Sequence, residues 1–152
     1  MDDPGVADSR IRLWIYRHLV ETGNTPSPVE VALHFGVTPA SVERAFQRLQ
    51  DEADALVLVP GSSYIWMAEP FSAVPTSFLV RSGARRWWGN CIWDALAILA
   101  LLGLDGVVAT ACPQSGVPLL VTVADGEPPA DSPGVVHFAV AARDWWRDIG
   151  FT

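Results

Sequence analysis

The chain has 152 residues, enough for one ordinary domain or two small units sharing a core. Half of them are apolar, seven are Trp, the net charge is −7, and every one of the ten basic residues is Arg. This balance opposes generic attraction to nucleic acid or anionic lipid, and no apolar run approaches bilayer length.

The acidic start of the chain lacks the basic and apolar regions of a secretory leader, so the expected setting is soluble and cytoplasmic, with no membrane partner. Two cysteines, Cys91 and Cys112, do not make a secreted disulfide framework. No Cys-x-x-Cys or His-x-x-x-His spacing announces a structural zinc site, and no cofactor is expected.

From Ser9 to Glu21 the residues Ile11, Leu13, Trp14, Ile15, Leu19 and Val20 recur at helical spacing and stop near Gly23. Ser27 to Phe35 reads as a second helix. Thr38 caps a third that runs to Leu49, with Pro39 in its first position. After Asp51 the period changes, and Ala55 to Val59, the Pro60-Gly61-Ser62-Ser63 turn and Tyr64 to Met67 predict a hairpin. Residues 1–70 thus form a winged-helix-like unit. DNA binding by it is not expected, because the third helix offers only Arg44 and Arg48 beside Glu43, Asp51 and Glu52.

Glu69 to Pro75 has linker composition, Thr76 to Val80 is expected to be a strand, and Arg85 to Trp88 leads towards the central element. That element is a buried helix from Asn90, taken as its cap, to Leu102, with Gly103 as its stop. Cys91 and Asp94 are three residues apart in its first turn, on one face. There the free N–H groups and the dipole would favour a low-pKa thiolate beside a proton carrier. The bland alternatives are a small core Cys and an Asp that serves only the helix dipole.

Val107–Ala111 and Leu119–Val123 predict an antiparallel hairpin, Ala124–Pro133 a loop, Val135–Val140 a further strand and Arg143–Ile149 a last helical turn or two. The fold class expected is α+β. The winged-helix-like part would pack on a small mixed or antiparallel sheet with the central helix buried, residues 71–152 forming the second unit.

Trp88-Gly-Asn-Cys-Ile-Trp-Asp-Ala-Leu96, followed by Gly106-Val-Val-Ala-Thr-Ala-Cys112, Gly116-Val-Pro118 and the strand to Val123, resembles the core signature of the organomercurial (alkylmercury) lyases. The match extends from about Phe78 to Val123, with an echo at Val136-His137-Phe138 and Asp144-Trp145. The resemblance implies that Cys91 binds mercury, that Asp94 moves the proton and shares the metal site, and that Cys112 is structural. It also implies a second site cysteine before the strand corresponding to 136–138, where this chain has Ser132-Pro133-Gly134.

His137 is the weak candidate for a replacement ligand, against a packed strand histidine as the plainer reading. Asp125, Glu127 and Asp131 read as a solvated loop, and Trp87, Trp88 and Trp93 as core or pocket wall. Three functions stay open. One is protonolysis of carbon–mercury bonds, weakened by the absent thiol and assisted by small thiols. Another is a repurposed enzyme using Cys91 and Asp94 on a different electrophile. The third is a non-enzymatic winged-helix binder, either a regulator or a sensor in which Cys91 detects a metal or electrophile.

Overall fold

The computed structural model describes residues 6–51, 55–128, 130 and 134–150. It is an α+β structure in which one antiparallel sheet of seven strands carries helices on its surface. Among the described residues no helix is long and apolar enough to cross a membrane.

Helix α1 (Asp8–Thr22) buries Ile11, Ile15 and Leu19, which are spaced by four residues and therefore line one stripe. It ends on Gly23, whose φ of 74° supplies the left-handed stop. Helix α2 (Pro28–Phe35) starts in a capping box, Ser27 accepting from the Glu30 N–H while the Glu30 carboxylate accepts from the Ser27 N–H at 2.7 Å. That hydrogen bond, helped by the Ser27 hydroxyl, holds the Glu30 pKa below the usual carboxylate value. Helix α3 (Pro39–Asp51) opens with Thr38 accepting from the Ser41 N–H at 3.2 Å, and buries Val42, Ala45, Phe46 and Leu49.

The strands are β1 (Val57–Leu58), β2 (Ile65–Ala68), β3 (Phe71–Ser72), β4 (Leu79–Ser82), β5 (Arg85–Gly89), β6 (Gly106–Ala111) and β7 (Pro118–Val123). Their order across the sheet is β1-β2-β3-β5-β4-β6-β7. Helix α4 (Ile92–Leu102) lies against the strands in the middle of that order.

Two stretches depart from expectation in the direction of order. Glu69 to Pro75 is not simply a linker: Phe71 and Ser72 form β3, paired with β2 on one side and with Trp88 and Gly89 of β5 on the other. Burial of the Phe71 ring outweighs the turn-rich composition around it. Arg85 to Gly89 is a strand rather than an approach. Its Trp87 is fully buried and donates Nε1–H to the Leu19 carbonyl of α1 at 3.1 Å, tying the helical half to the sheet.

Other expectations need correction. Val135 to Val140 is not a strand; it runs as irregular chain, with Val135 92% exposed. It has no ladder partner among the described residues, and β propensity alone cannot hold a strand without one. The last helical segment, Ala142–Arg147, is a 3₁₀ helix. Helix α4 is not buried all round. Ala95, Ile98 and Leu99 face the sheet, whereas Trp93 and Leu101 are 59% and 74% exposed. Asp131, Ser132 and Pro133 lie outside the described residues.

The approach of α4 to the sheet depends on two glycines. A Cβ on Gly89 would stand 2.6 Å from the Ala95 nitrogen, and one on Gly106 would stand 2.7 Å from Leu99 Cδ2. Only a residue without a side chain lets the helix start this close to the strand that feeds it.

Candidate active site

The end of β5 fixes the first residues of the site. Thr76 donates its hydroxyl to the Gly89 carbonyl at 2.6 Å, so the chain enters Asn90 from a pinned peptide. Cys91, and not Asn90, is the N-cap of α4. With extended backbone, φ −137° and ψ −178°, its sulfur accepts from the Asp94 N–H at 3.5 Å. A thiol occupies the position where a hydroxyl or carboxylate more often satisfies the first free N–H groups.

Both side chains are half-buried, and burial decides their protonation. The Cys91 thiol is pushed above its ordinary pKa by loss of solvent, with the neighbouring Asp94 charge adding to the effect. Hydrogen bonds from the Asp94 and Trp93 N–H groups oppose that rise without cancelling it. The expectation of a low-pKa thiolate at the helix start is therefore corrected: desolvation exceeds the helix-end contribution. Asp94 is likewise raised, first by burial, although Cys91 and the Asn90 carboxamide lie close enough to lower it in part. A carboxyl raised in this way holds its proton longer than a solvated one.

Cys91 and Asp94 open into a partly enclosed cavity of about 550 Å³. Its polar lining comprises Glu69, Ser72, Thr76, Asn90 and His137, and Trp66, Met67, Phe78, Ile92, Phe138, Trp145 and Ile149 give it apolar walls. The wall away from the sheet comes from residues 137–150, where Phe138 packs between Trp93 and Trp145 with centroid distances of 6.4 and 5.2 Å. His137 faces the cavity from exposed, irregular chain and is not a packed strand residue. Trp87 is core, and Trp93 flanks the covering segment.

Sequence reasoning missed three contributors. Trp66 and Glu69 reach the cavity from the N-terminal half, which no local signal announces. Asn90 looked like a helix cap; instead both its side-chain polar atoms are buried without a hydrogen-bond partner. A second apolar groove, of about 470 Å³, lies between α1 and the end of α4 beside Arg12, Tyr16 and Leu101, and contains no cysteine.

Cys112 follows β6 in a tight turn, with its N–H on the Val117 carbonyl and its own carbonyl accepting from Gly116. Hydrogen bonds from the Ser115 hydroxyl and from the Ser115 and Gln114 N–H groups lower its pKa. Both cysteines are free, and the neighbouring Pro113 touches the rim of the Cys91 cavity. Among the described residues no three His, Cys, Asp or Glu side chains gather as a metal cage. Of the groups that line the cavity, the Cys91 sulfur is the softest, with the Asp94 carboxyl alongside.

Comparison with known proteins agrees with the fold and with the signature around Cys91. The chain matches the structure of the mercury-bound form of MerB2 with a TM-score of 0.62 and 21% sequence identity, over 80% of this chain and 58% of that one. It thus spans little more than half the length of that relative. No curated protein matches the chain. The family model described as alkylmercury lyase, MerB, matches residues 71–152, from β3 to the last residue and more than half of the sequence. The chain belongs to the alkylmercury lyase family.

Proposed function

We propose that this protein cleaves carbon–mercury bonds by protonolysis, with Cys91 as the mercury-binding sulfur and Asp94 as the proton carrier. The observation that carries the reading is the placement of a thiol and a burial-raised carboxyl, one helical turn apart, in one cavity with an apolar wall. Sulfur is the softest ligand a protein offers to mercury, and a carboxyl whose pKa is raised by burial is a better proton acceptor than a solvated one, suited to taking the thiol's proton and delivering it to carbon.

The atoms balance as follows. Cys91 sulfur forms a bond to mercury and its proton passes to the Asp94 carboxylate. The carbon–mercury bond then breaks, its electron pair going to carbon, which takes that proton and leaves as hydrocarbon. The substrate enters as the adduct of the organomercurial with a small thiolate, and mercury remains on Cys91 together with that thiolate. The raised thiol pKa keeps Cys91 protonated until mercury arrives, so the proton needed at carbon enters with the sulfur.

Activity is expected to be weak, because Ser132-Pro133-Gly134 provides no second thiolate to donate electron density or to hold the product. A small thiol from solution takes that place. The substrate-binding role of Asp94 is secondary to its proton transfer, and His137, on the covering segment, is the weaker candidate for a further ligand. We take the unit from α1 to β2 as a winged-helix-like scaffold and not as a DNA reader. Arg48, one of the two cations on α3, is held by Asp8 at 2.7 Å, which reduces an already poor phosphate-binding face.

The test is incubation with an aryl or alkyl mercurial and excess small thiol while hydrocarbon release is followed in wild type and Cys91→Ser. Catalytic release that disappears in the variant supports the reading. Stoichiometric mercury binding without hydrocarbon overturns it in favour of a sensor or a repurposed enzyme.

A further inference from the structure

The Asn90 carboxamide stands close enough to Asp94 to lower its pKa in part, yet its hydrogen-bonding capacity is not used by any well-formed bond in the folded protein as described. Its nitrogen and its oxygen are both buried, and neither makes a hydrogen bond. Buried side-chain polar atoms are nearly always paired, since loss of water without a replacement partner costs folding free energy. The capping role that would ordinarily account for an asparagine before a helix is taken by Cys91. An apolar side chain of similar volume would fill the space without that cost.

The position of the amide supplies a different reason for it. Asn90 lines the same cavity as Cys91 and Asp94, and its backbone is immobilised between the Thr76-bound Gly89 peptide and the N-cap of α4. Its NH₂ group therefore has only side-chain torsions with which to reach a partner. Asp94 is the nearby acceptor across the first turn. The other ionisable groups lining the cavity, Glu69 and His137, stand on separate segments.

We propose that Asn90 is a positioning residue: once Cys91 carries mercury, its NH₂ group donates to one oxygen of the Asp94 carboxyl and turns the other oxygen towards the carbon bound to the metal. This rests on the proposed lyase reading for its catalytic consequence, whereas the hydrogen bond itself can be observed without turnover. The amide orients the acid and does not touch the reacting atoms, so its loss should lower kcat and leave KM nearly unchanged.

The experiment uses the full chain carrying Cys112→Ser, so that Cys91 is its sole thiol, with phenylmercuric acetate as probe. The side-chain amide resonances of Asn90 are assigned by their absence in Asn90→Leu. On addition of one equivalent of probe they should shift, and the shift should vanish in an Asp94→Ala background. In parallel, Asn90→Leu should melt at or above the parent temperature, bind one mercury per chain, and release hydrocarbon about 10–100-fold more slowly. An amide resonance that does not move, or an Asn90→Leu variant that melts lower and loses activity only with its folded fraction, overturns the proposal. A shift in a protein that releases no hydrocarbon leaves the hydrogen bond standing and overturns the lyase reading instead.

Discussion

Cys91 and Cys112 are both free thiols, the first lining the cavity and the second next to Pro113 at its rim, yet their surroundings act on them in opposite directions. Cys91 caps a helix, where N–H groups point at its sulfur, but it is half-buried next to a carboxyl and its pKa rises. Cys112 sits in a turn, where the Ser115 hydroxyl and two backbone N–H groups meet its sulfur with only slight desolvation to oppose them, and its pKa falls. Helix-end placement is thus a weaker guide to thiolate character than solvent access. On the proposed lyase reading the first arrangement serves the chemistry, because mercury would displace a proton that the adjacent carboxyl can then use.

The comparison breaks most sharply in activity. Cys91→Ser should abolish thiol-dependent hydrocarbon release, whereas Cys112→Ser should retain it. If Cys112 proved essential and Cys91 dispensable, the assignment of the two thiols would be reversed. Next in size is Asp94→Asn, expected to reduce release by about 10²–10⁴-fold while mercury still binds Cys91.

The same variant carries a stability signature with a defined sign. Because Asp94 is raised from 3.8 on folding, the folded protein holds that proton more tightly than the unfolded chain does. This contribution is present below the ordinary carboxylate value and is lost as pH rises through the raised one. Asp94→Asn should therefore gain stability relative to wild type over that window, measured by denaturant unfolding across pH. A constant difference would mean that Asp94 is not desolvated.

Packing around the two thiols differs as well. Gly89→Ala drives a methyl group into the Ala95 backbone and should destabilise the protein by about 1–3 kcal/mol, displacing Cys91 with the start of α4. Gly116, in the Cys112 turn, has open space around it and a φ of 69°, so Gly116→Ala should cost only the backbone strain, about 1–2 kcal/mol. Chemical unfolding of the pair checks whether the Cys91 side is the tightly packed one.

The smallest effect is in alkylation by a small hydrophilic haloacetamide. Thiolate is the reacting form, so Cys112 should begin to react below the pH at which an ordinary thiol does, and Cys91 above it. Mass mapping across pH resolves the two. Ser115→Ala should move the Cys112 onset upward and leave Cys91 alone; faster labelling of Cys91 at neutral pH would count against the desolvation argument.

Local signals were enough wherever a segment's own residues determine its structure. The stripe Ile11, Ile15 and Leu19, the Thr38-Pro39 start of α3, the apolar run closed by Gly103 and the two alternating runs around the Cys112 turn each specify helix or strand through side-chain period and end chemistry. The pairing of Cys91 with Asp94 was legible for the same reason, since a spacing of three is a geometric fact of a helix. The family signature was legible too, because it lies in contiguous residues.

Tertiary structure alone decided the rest. Phe71 and Ser72 become a strand because β2 and β5 are there to pair with them, and Val135 to Val140 does not, having no ladder partner among the described residues. The rise in the Cys91 and Asp94 pKa values, the orphaned amide of Asn90 and the arrival of Trp66 and Glu69 at the cavity are likewise products of folding. Periodicity and capping act over a few residues along the chain, whereas desolvation and strand pairing depend on which distant segments surround a group, and that is set only when the sheet is assembled.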